Sequence, residues 1–282
     1  MRIQPLNDDF AARITDIDLA QDLSESAIAE ISAAIAKYAV LVFPNQPLTD
    51  DQHGDFTRRF GPIDKGLLLK TKRKRRLENP DVMDLANVDH NGNVLAATNV
   101  RNVSLVANQY WHSDSSFKVP AGKYSLLCGI DLPATGGQTE FADQRAAYDA
   151  LSDGMKARLK GLVAEHWAYH SRNMLGGGGY SEDEMNNLPP VHWPVVHTVT
   201  GSGRKSLYIG IHTREIEGIW TPEARMLLSD LLEHATQRQF VYRHEWTNHD
   251  LVMWDNQSTL HRGRAYELGE LRQLRRCTTE AA

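Results

Sequence analysis

The chain has 282 residues, 41% apolar and 24% charged, with 20 Gly, 11 Pro and 2 Cys, which excludes the disordered, collagen-like and disulfide-stapled classes. A formal net charge of -5 provides no global attraction to nucleic acid or to an anionic membrane, and neither partner is expected. Cys128 and Cys277 form no CxxC pair, Asp8 and Asp9 interrupt the stretch where a signal peptide would carry its apolar run, and nothing approaches about 18 uninterrupted apolar residues. A soluble, unexported protein of the reducing cytoplasm is the expectation.

Residues 25–38 set Ile28, Ile31, Ile35 and Tyr38 at helical spacing, with Ser24 as N-cap and Glu25 in the first turn, so a helix is predicted there. It runs into the β-branched and aromatic run 39–43, stopped by Pro44, which reads as a buried strand. Residues 48–60 return to helical character under a Thr49 cap, with Phe56 and Phe60 four apart, and Gly61-Pro62 ends the helix. Seven of the twelve residues 65–76 are basic, and with no aromatic side chains interleaved for base stacking they read as a solvated loop. Residues 82–88 followed by Asp89-His90-Asn91-Gly92 have the punctuation of a hairpin. Further strands are predicted at 124–130, 206–210, 251–255 and 271–277, and helices at 144–161 and 221–237. The glycine-rich run 175–180 is short enough to be a loop inside one domain, and no internal repeat appears. A single domain over residues 1–282, mainly β with flanking helices on a sandwich or barrel, is the economical architecture.

His112 and Asp114 stand two apart, so on an extended segment the imidazole and the carboxylate point to the same side. Such a pair alone is common and usually forms ordinary hydrogen bonds. About 150 residues later, however, an apolar strand ends in a turn that presents His261. Two imidazoles and one carboxylate on a β scaffold make the facial triad of non-haem Fe(II) oxygenases, which leaves coordination positions open for co-substrate and dioxygen. A zinc hydrolase would more often add a third His or a Glu base, and no H-E-x-x-H occurs. Downstream, Arg272 and Arg276 are four apart, which on a strand puts them on one face roughly 13 Å from each other. Arginine matches carboxylate fork to fork, so two arginines near a metal would serve two anionic ligands, and an exposed basic edge strand is the plain alternative. The pairs His166 with His170 and His244 with His249 lack a clustered carboxylate at matching spacing and read as core or surface histidines.

The combination of His112-x-Asp114, Gly136-Gly137-Gln138-Thr139, His261 and Arg272 resembles the taurine dioxygenase-like group of Fe(II)/2-oxoglutarate-dependent dioxygenases, and within it the members that degrade phenoxyacetate herbicides. The likeness runs over nearly the whole chain, from Phe60-Gly61-Pro62 through Arg145-Ala146-Ala147-Tyr148 and Trp254-Asp255-Asn256 to Leu274-Arg275-Arg276. It implies a double-stranded β-helix, a cupin-like jelly roll flanked by helices. It implies Fe(II), 2-oxoglutarate and O2 as cofactor and co-substrates, with His112, Asp114 and His261 as iron ligands. Thr139 and Arg272 would hold the far carboxylate of 2-oxoglutarate, and Arg276 the anionic head of the primary substrate. Asn108, Ser116 and Lys70 fall where substrate-pocket residues occur in relatives, and a mobile active-site loop is expected near 65–100. The implied reaction is hydroxylation of the ether-linked carbon of an aryloxyacetate, giving a phenol and glyoxylate with succinate and CO2. The alternatives are a taurine or alkylsulfonate dioxygenase and, from another class, a non-catalytic jelly-roll binding protein. A homo-oligomer is expected.

Overall fold

The computed structural model describes residues 1–65, 75–99, 102–176 and 181–281. Its larger sheet has seven strands, in spatial order Arg2–Pro5, Ala12–Thr15, Val40–Phe43, Leu251–Asp255, Gly122–Asp131, Gln273–Glu280 and Met83–Ala86. A smaller sheet of Val241–His244, Thr139–Asp143 and Thr259–Gly263 lies opposite it, and together they form the jelly roll of a double-stranded β-helix. Alternation along the strands fixes which layer each side chain joins. Leu41, Phe43, Leu126, Leu251 and Met253 face the helix Glu25–Tyr38 and pack on its Ile28, Ile31 and Ile35. Their neighbours Val42, Leu127, Val252, Trp254 and Leu274 point the other way and meet Phe141 of the smaller sheet. A third apolar layer gathers on the helix Thr221–Ala235 through Leu227, Leu228 and Leu231.

The first helix starts where its cap requires, with the Ser24 hydroxyl accepting from the Ala27 N–H, and Asp50–Arg58 opens on a reciprocal capping box between Thr49 and Gln52. Residues 144–161, read as one helix, form two, Gln144–Asp149 and Asp153–Leu159. Each has its own N-cap, Asp143 and Ser152, and the buried Leu151 sits at the break, so capping competes with continuation and wins. The strand expected at 206–210 shortens to Lys205–Leu207. Asp89-His90-Asn91-Gly92 does form a tight turn, closed by the Asp89 N–H on the Asn93 carbonyl and by a bridge between Val88 and Val94. Of the stretch near 65–100, Met83–Ala86 is an edge strand paired with Gln273–Glu280, while residues 66–74, which carry Lys70 and most of the basic run, lie outside the described residues. Among the described residues no helix is long and apolar enough to cross a membrane. Both cysteines are free and buried.

Candidate metal and anion site

His112 and His261 are joined backbone to backbone. Each donates its N–H to the other's carbonyl, at 3.0 and 2.9 Å, and this bridge brings the two rings to 4.1 Å between centroids. His261 is delivered by a turn built on Asp255, whose carboxylate takes the Gln257 N–H, the Ser258 hydroxyl and the Lys123 ammonium. Asp114 stands two residues past the His112 bridge, where the chain enters a turn with Ser115 at φ +54°, and its carboxylate oxygens lie 3.9 Å from His112 Nε2 and 3.6 Å from His261 Nε2. One ligand atom from each of His112, Asp114 and His261 lies within 4.8 Å of the others, and these three are the group among the described residues that could hold a metal ion.

The donors are in the protonation state a cation needs. The Tyr110 carbonyl, which can only accept, sits 2.7 Å from His112 Nδ1 and so fixes the proton there, leaving the Nε2 lone pair for the site. Burial pushes the His112 imidazole below the ordinary histidine range, and burial reinforced by the neighbouring His112 pushes His261 well below it. Burial alone would raise the Asp114 carboxyl, but the Arg276 guanidinium beside it, helped by the Ser125 hydroxyl, holds it below the usual carboxylate range. Two neutral imidazoles and one carboxylate suit a divalent first-row ion and leave positions open, so the residues fit Fe(II).

Beside the triad lies a cavity between the two sheets, lined on its apolar side by Leu85, Leu127, Trp254 and Leu274. The described lining holds three guanidiniums, Arg264, Arg272 and Arg276, and no carboxylate. Arg272 is buried, with 8% of its surface exposed, and burial lowers its pKa, yet none of the described residues offers it a carboxylate. Its contacts are the Gly137 carbonyl at 3.1 Å and the Tyr266 ring, 5.1 Å from centroid to guanidinium carbon, while Nε has no hydrogen-bond partner among the described residues. A buried guanidinium so poorly matched keeps donors that an anion could take up. The glycine pair follows from this packing. Gly136 and Gly137 both have positive φ, +79° and +72°, and a Cβ on Gly136 would come within 2.4 Å of the Ala265 carbonyl oxygen. Gly137 is thereby free to bring its carbonyl to Arg272.

Thr139 lines the same cavity, and its hydroxyl accepts from the Trp246 indole at 3.0 Å, so its own proton is free to be donated inward. Arg276 Nη1 donates to Asp114 Oδ1 at 2.5 Å and Nη2 meets the Met83 sulfur at 3.2 Å. Arg272, Leu274 and Arg276 all line the cavity, the single face that alternation along the chain leads one to expect, with Arg272 one residue ahead of the strand Gln273–Glu280 and the register shift taken up by the partner strand Gly122–Asp131. Asn108 lines the cavity. Ser116 is buried with its carbonyl on the Trp193 indole, and it is not part of that lining. Arg264, Tyr266, Trp246 and Met83 were not picked out from the sequence, where a lone residue without spacing carries no signal. His166 and His244 are core histidines, as expected, the first stacked on Tyr208, but the second does have a carboxylate beside it, Asp250 at 3.2 Å, contrary to the reason given from the spacing.

Comparison with known proteins agrees with this geometry. The family described as "Taurine catabolism dioxygenase TauD, TfdA family" matches residues 2–278. The alpha-ketoglutarate-dependent 2,4-dichlorophenoxyacetate dioxygenase of Cupriavidus pinatubonensis is 49% identical over 275 residues, covering 98% of this chain and 96% of its own. An (S)-phenoxypropionate/alpha-ketoglutarate-dioxygenase of Sphingobium herbicidovorans is 34% identical over 278 residues, covering 96% of this chain and 91% of its own. The crystal structure of AAD-2 in complex with Mn(II) and N-oxalylglycine superimposes with a TM-score of 0.92 at 40% identity, over 100% of this chain and 98% of that one.

Proposed function

The chain belongs to the taurine catabolism dioxygenase TauD, TfdA family, and from that premise we propose that it hydroxylates the ether-linked methylene of an aryloxyacetate such as 2,4-dichlorophenoxyacetate. It is a 2-oxoglutarate-dependent non-haem iron dioxygenase. The observation that carries the substrate reading is the cavity lining, in which Arg272 has no carboxylate partner among the described residues and Arg276 shares Asp114, both set beside an apolar wall, which suits two anions of which one bears an aromatic ring.

In this reading His112, Asp114 and His261 hold the iron. Arg272 and Thr139 take the remote carboxylate of 2-oxoglutarate, the guanidinium through its fork and the hydroxyl through its one free proton. When bound, iron and 2-oxoglutarate supply with O2 the power to hydroxylate an unactivated carbon, leaving succinate and CO2. The chain's own contribution is position and exclusion. Arg276 lies beside the metal ligand Asp114, so a carboxylate held there brings the carbon next to it toward the metal. In an aryloxyacetate that carbon is the methylene between carboxylate and ether oxygen. Leu85, Leu127 and Leu274 then receive the ring and keep water from it. Asn108 borders the same space. The hydroxylated carbon is a hemiacetal, which collapses to a phenol and glyoxylate. Residues 1–282 act as one dioxygenase domain, a homo-oligomer working in the cytoplasm.

The test is anaerobic addition of Fe(II) and 2-oxoglutarate, an absorption spectrum, then 2,4-dichlorophenoxyacetate followed by air. A weak visible charge-transfer band that shifts with the aryloxy acid, and phenol release matched one to one by succinate, are the expected results. Succinate formation stimulated by taurine and not by the aryloxy acid would overturn the substrate reading.

A further inference from the structure

The Asp114 carboxylate is held on both oxygens. Arg276 Nη1 donates to Oδ1, and the Ser125 hydroxyl donates to Oδ2 at 2.7 Å. The direction of that second bond is set two residues away. Asn256 is fully buried, and its Oδ1 accepts from the Trp254 indole at 2.9 Å and from the Asp114 backbone N–H at 3.1 Å. Both of those groups can only donate, so the amide cannot be flipped, and its Nδ2 is forced toward Ser125 Oγ at 2.9 Å. The Ser125 hydroxyl thus accepts from Asn256, and its single proton is committed to Asp114, which leaves Thr278 Oγ1, 3.0 Å away, as a second donor to it. Asn256 also fixes the backbone on either side of the carboxylate, since the Ser113 hydroxyl donates to its carbonyl at 2.5 Å and its N–H donates to the Lys123 carbonyl at 2.8 Å. Space is equally constrained. A Cβ on Gly122 would lie 2.7 Å from the Asp114 carbonyl oxygen, so this ligand-bearing turn sits directly on the strand that carries Ser125.

We propose that Asn256 is a positioning residue for the metal site, acting through Ser125 to fix the rotation of the Asp114 carboxylate. This rests on the reading of His112, Asp114 and His261 as metal ligands. A carboxylate with two free oxygens can rotate and chelate or swing away, whereas one with each oxygen already engaged offers its remaining lone pairs in a single arrangement. The relay is polar, buried and satisfied along its length, the condition under which such a network specifies one geometry.

The experiment measures Mn(II) binding to the full chain without co-substrate, by the loss of the free-ion magnetic resonance signal, in wild type, Ser125→Ala, Asn256→Ala, the double variant and His261→Ala. Ser125→Ala and Asn256→Ala are expected to weaken Mn(II) binding about 10- to 100-fold, as for partners of metal ligands elsewhere. Because Asn256 acts on the carboxylate through the Ser125 hydroxyl, its loss costs less once Ser125 is gone, so the double variant is expected to fall short of the sum of the two single losses. Ser125→Ala removes one oxygen and keeps the question open should Asn256→Ala fail to fold, and melting of the metal-free proteins separates lost fold from lost affinity. Wild-type Mn(II) affinity in folded Ser125→Ala overturns the proposal, as does full additivity in the double variant. Undiminished binding in His261→Ala instead overturns the ligand reading on which the proposal stands.

Discussion

Arg272 gives opposite predictions for stability and for binding, and the structure supplies the sizes of both. Its guanidinium is buried against the Gly137 carbonyl and the Tyr266 ring, with no carboxylate from the described residues. In Arg272→Met the cation is replaced by an apolar chain of similar reach. The variant gives up one hydrogen bond to a carbonyl and a buried cation–π contact of about 2 kcal/mol, and it is relieved of an unpaired buried charge whose penalty is several kcal/mol. Without ligands it is therefore expected to melt at or above the wild-type temperature. Binding moves the other way. A charge-assisted contact to a carboxylate contributes about 1.5–3 kcal/mol, so the Kd for 2-oxoglutarate on the Mn(II)-loaded protein rises about 10- to 100-fold. At a concentration 100 times the wild-type Kd, 2-oxoglutarate stabilises wild type by about 2.7 kcal/mol, and a variant weakened 100-fold by only about 0.4 kcal/mol. The ligand-induced shift in Tm thus shrinks by several degrees. Calorimetric titration and thermal melts with and without 2-oxoglutarate read both halves. A variant that melts below wild type without ligand and still binds 2-oxoglutarate normally would refute the reasoning.

His112→Ala, Asp114→Ala and His261→Ala are each expected to reduce succinate formation to background, since each removes one of three protein donors from an open site, and a variant retaining most of the wild-type rate is not missing a ligand. Arg276→Ala is expected to raise the KM for the aryloxy acid about tenfold or more and also to weaken metal binding, because its guanidinium touches Asp114; an unchanged Mn(II) affinity would show that this contact has no role in the holoenzyme. Burial pushes His53 down to about 4, against an ordinary value near 6.5, so the folded state binds fewer protons than the unfolded one between those limits. Its stability contribution is complete above pH 6.5 and is lost as the pH falls toward 4. His53→Gln should lower the slope of stability against pH in that window by up to about 1.4 kcal/mol per pH unit, measured by urea denaturation, and an unchanged slope would show that His53 does not titrate in this way.

Elements governed by local chemistry were legible in the sequence. Both N-terminal helices begin at the predicted cap residues, and the apolar run before Pro44 is a strand buried on both faces, because capping and patterning act within a few residues. The smaller sheet was not legible. Thr139–Asp143 carries Glu140 and Thr139 among its buried residues, and its strand character comes from pairing with Val241–His244 and Thr259–Gly263, more than 95 residues away. The triad was readable from residue type and from the two-residue spacing of His112 and Asp114, whereas the turn that follows, with Ser115 at positive φ, was not. The arginines were readable as a pair on one face, because alternation is local, whereas the bulge in the strand paired with them leaves no mark in their own sequence. Ser125 and Asn256 become meaningful only when three distant segments are assembled around Asp114.

The same comparison explains why the site is costly to the fold and still specified by it. Arg272 sits where folding alone would favour an apolar side chain, and Arg276 shares with Asp114 a charge that the metal also requires. Arg272 weakens the bare protein, because a buried cation without a carboxylate partner is destabilising, whereas Arg276 is already paired with Asp114. Both make sense once two anions and a cation enter the cavity, for then each guanidinium gains a carboxylate and Asp114 gains a metal. On this argument the stability of the chain rises in steps as metal, 2-oxoglutarate and aryloxy acid are added, each step reporting one cluster of residues. The metal step disappears with His261→Ala, the 2-oxoglutarate step shrinks with Arg272→Met and the aryloxy acid step with Arg276→Ala. Melts of those three variants with each addition test the assignment of residues to ligands without any turnover. Should Arg272→Met shrink the aryloxy acid step and leave the 2-oxoglutarate step intact, the two arginines have been assigned to the wrong anions.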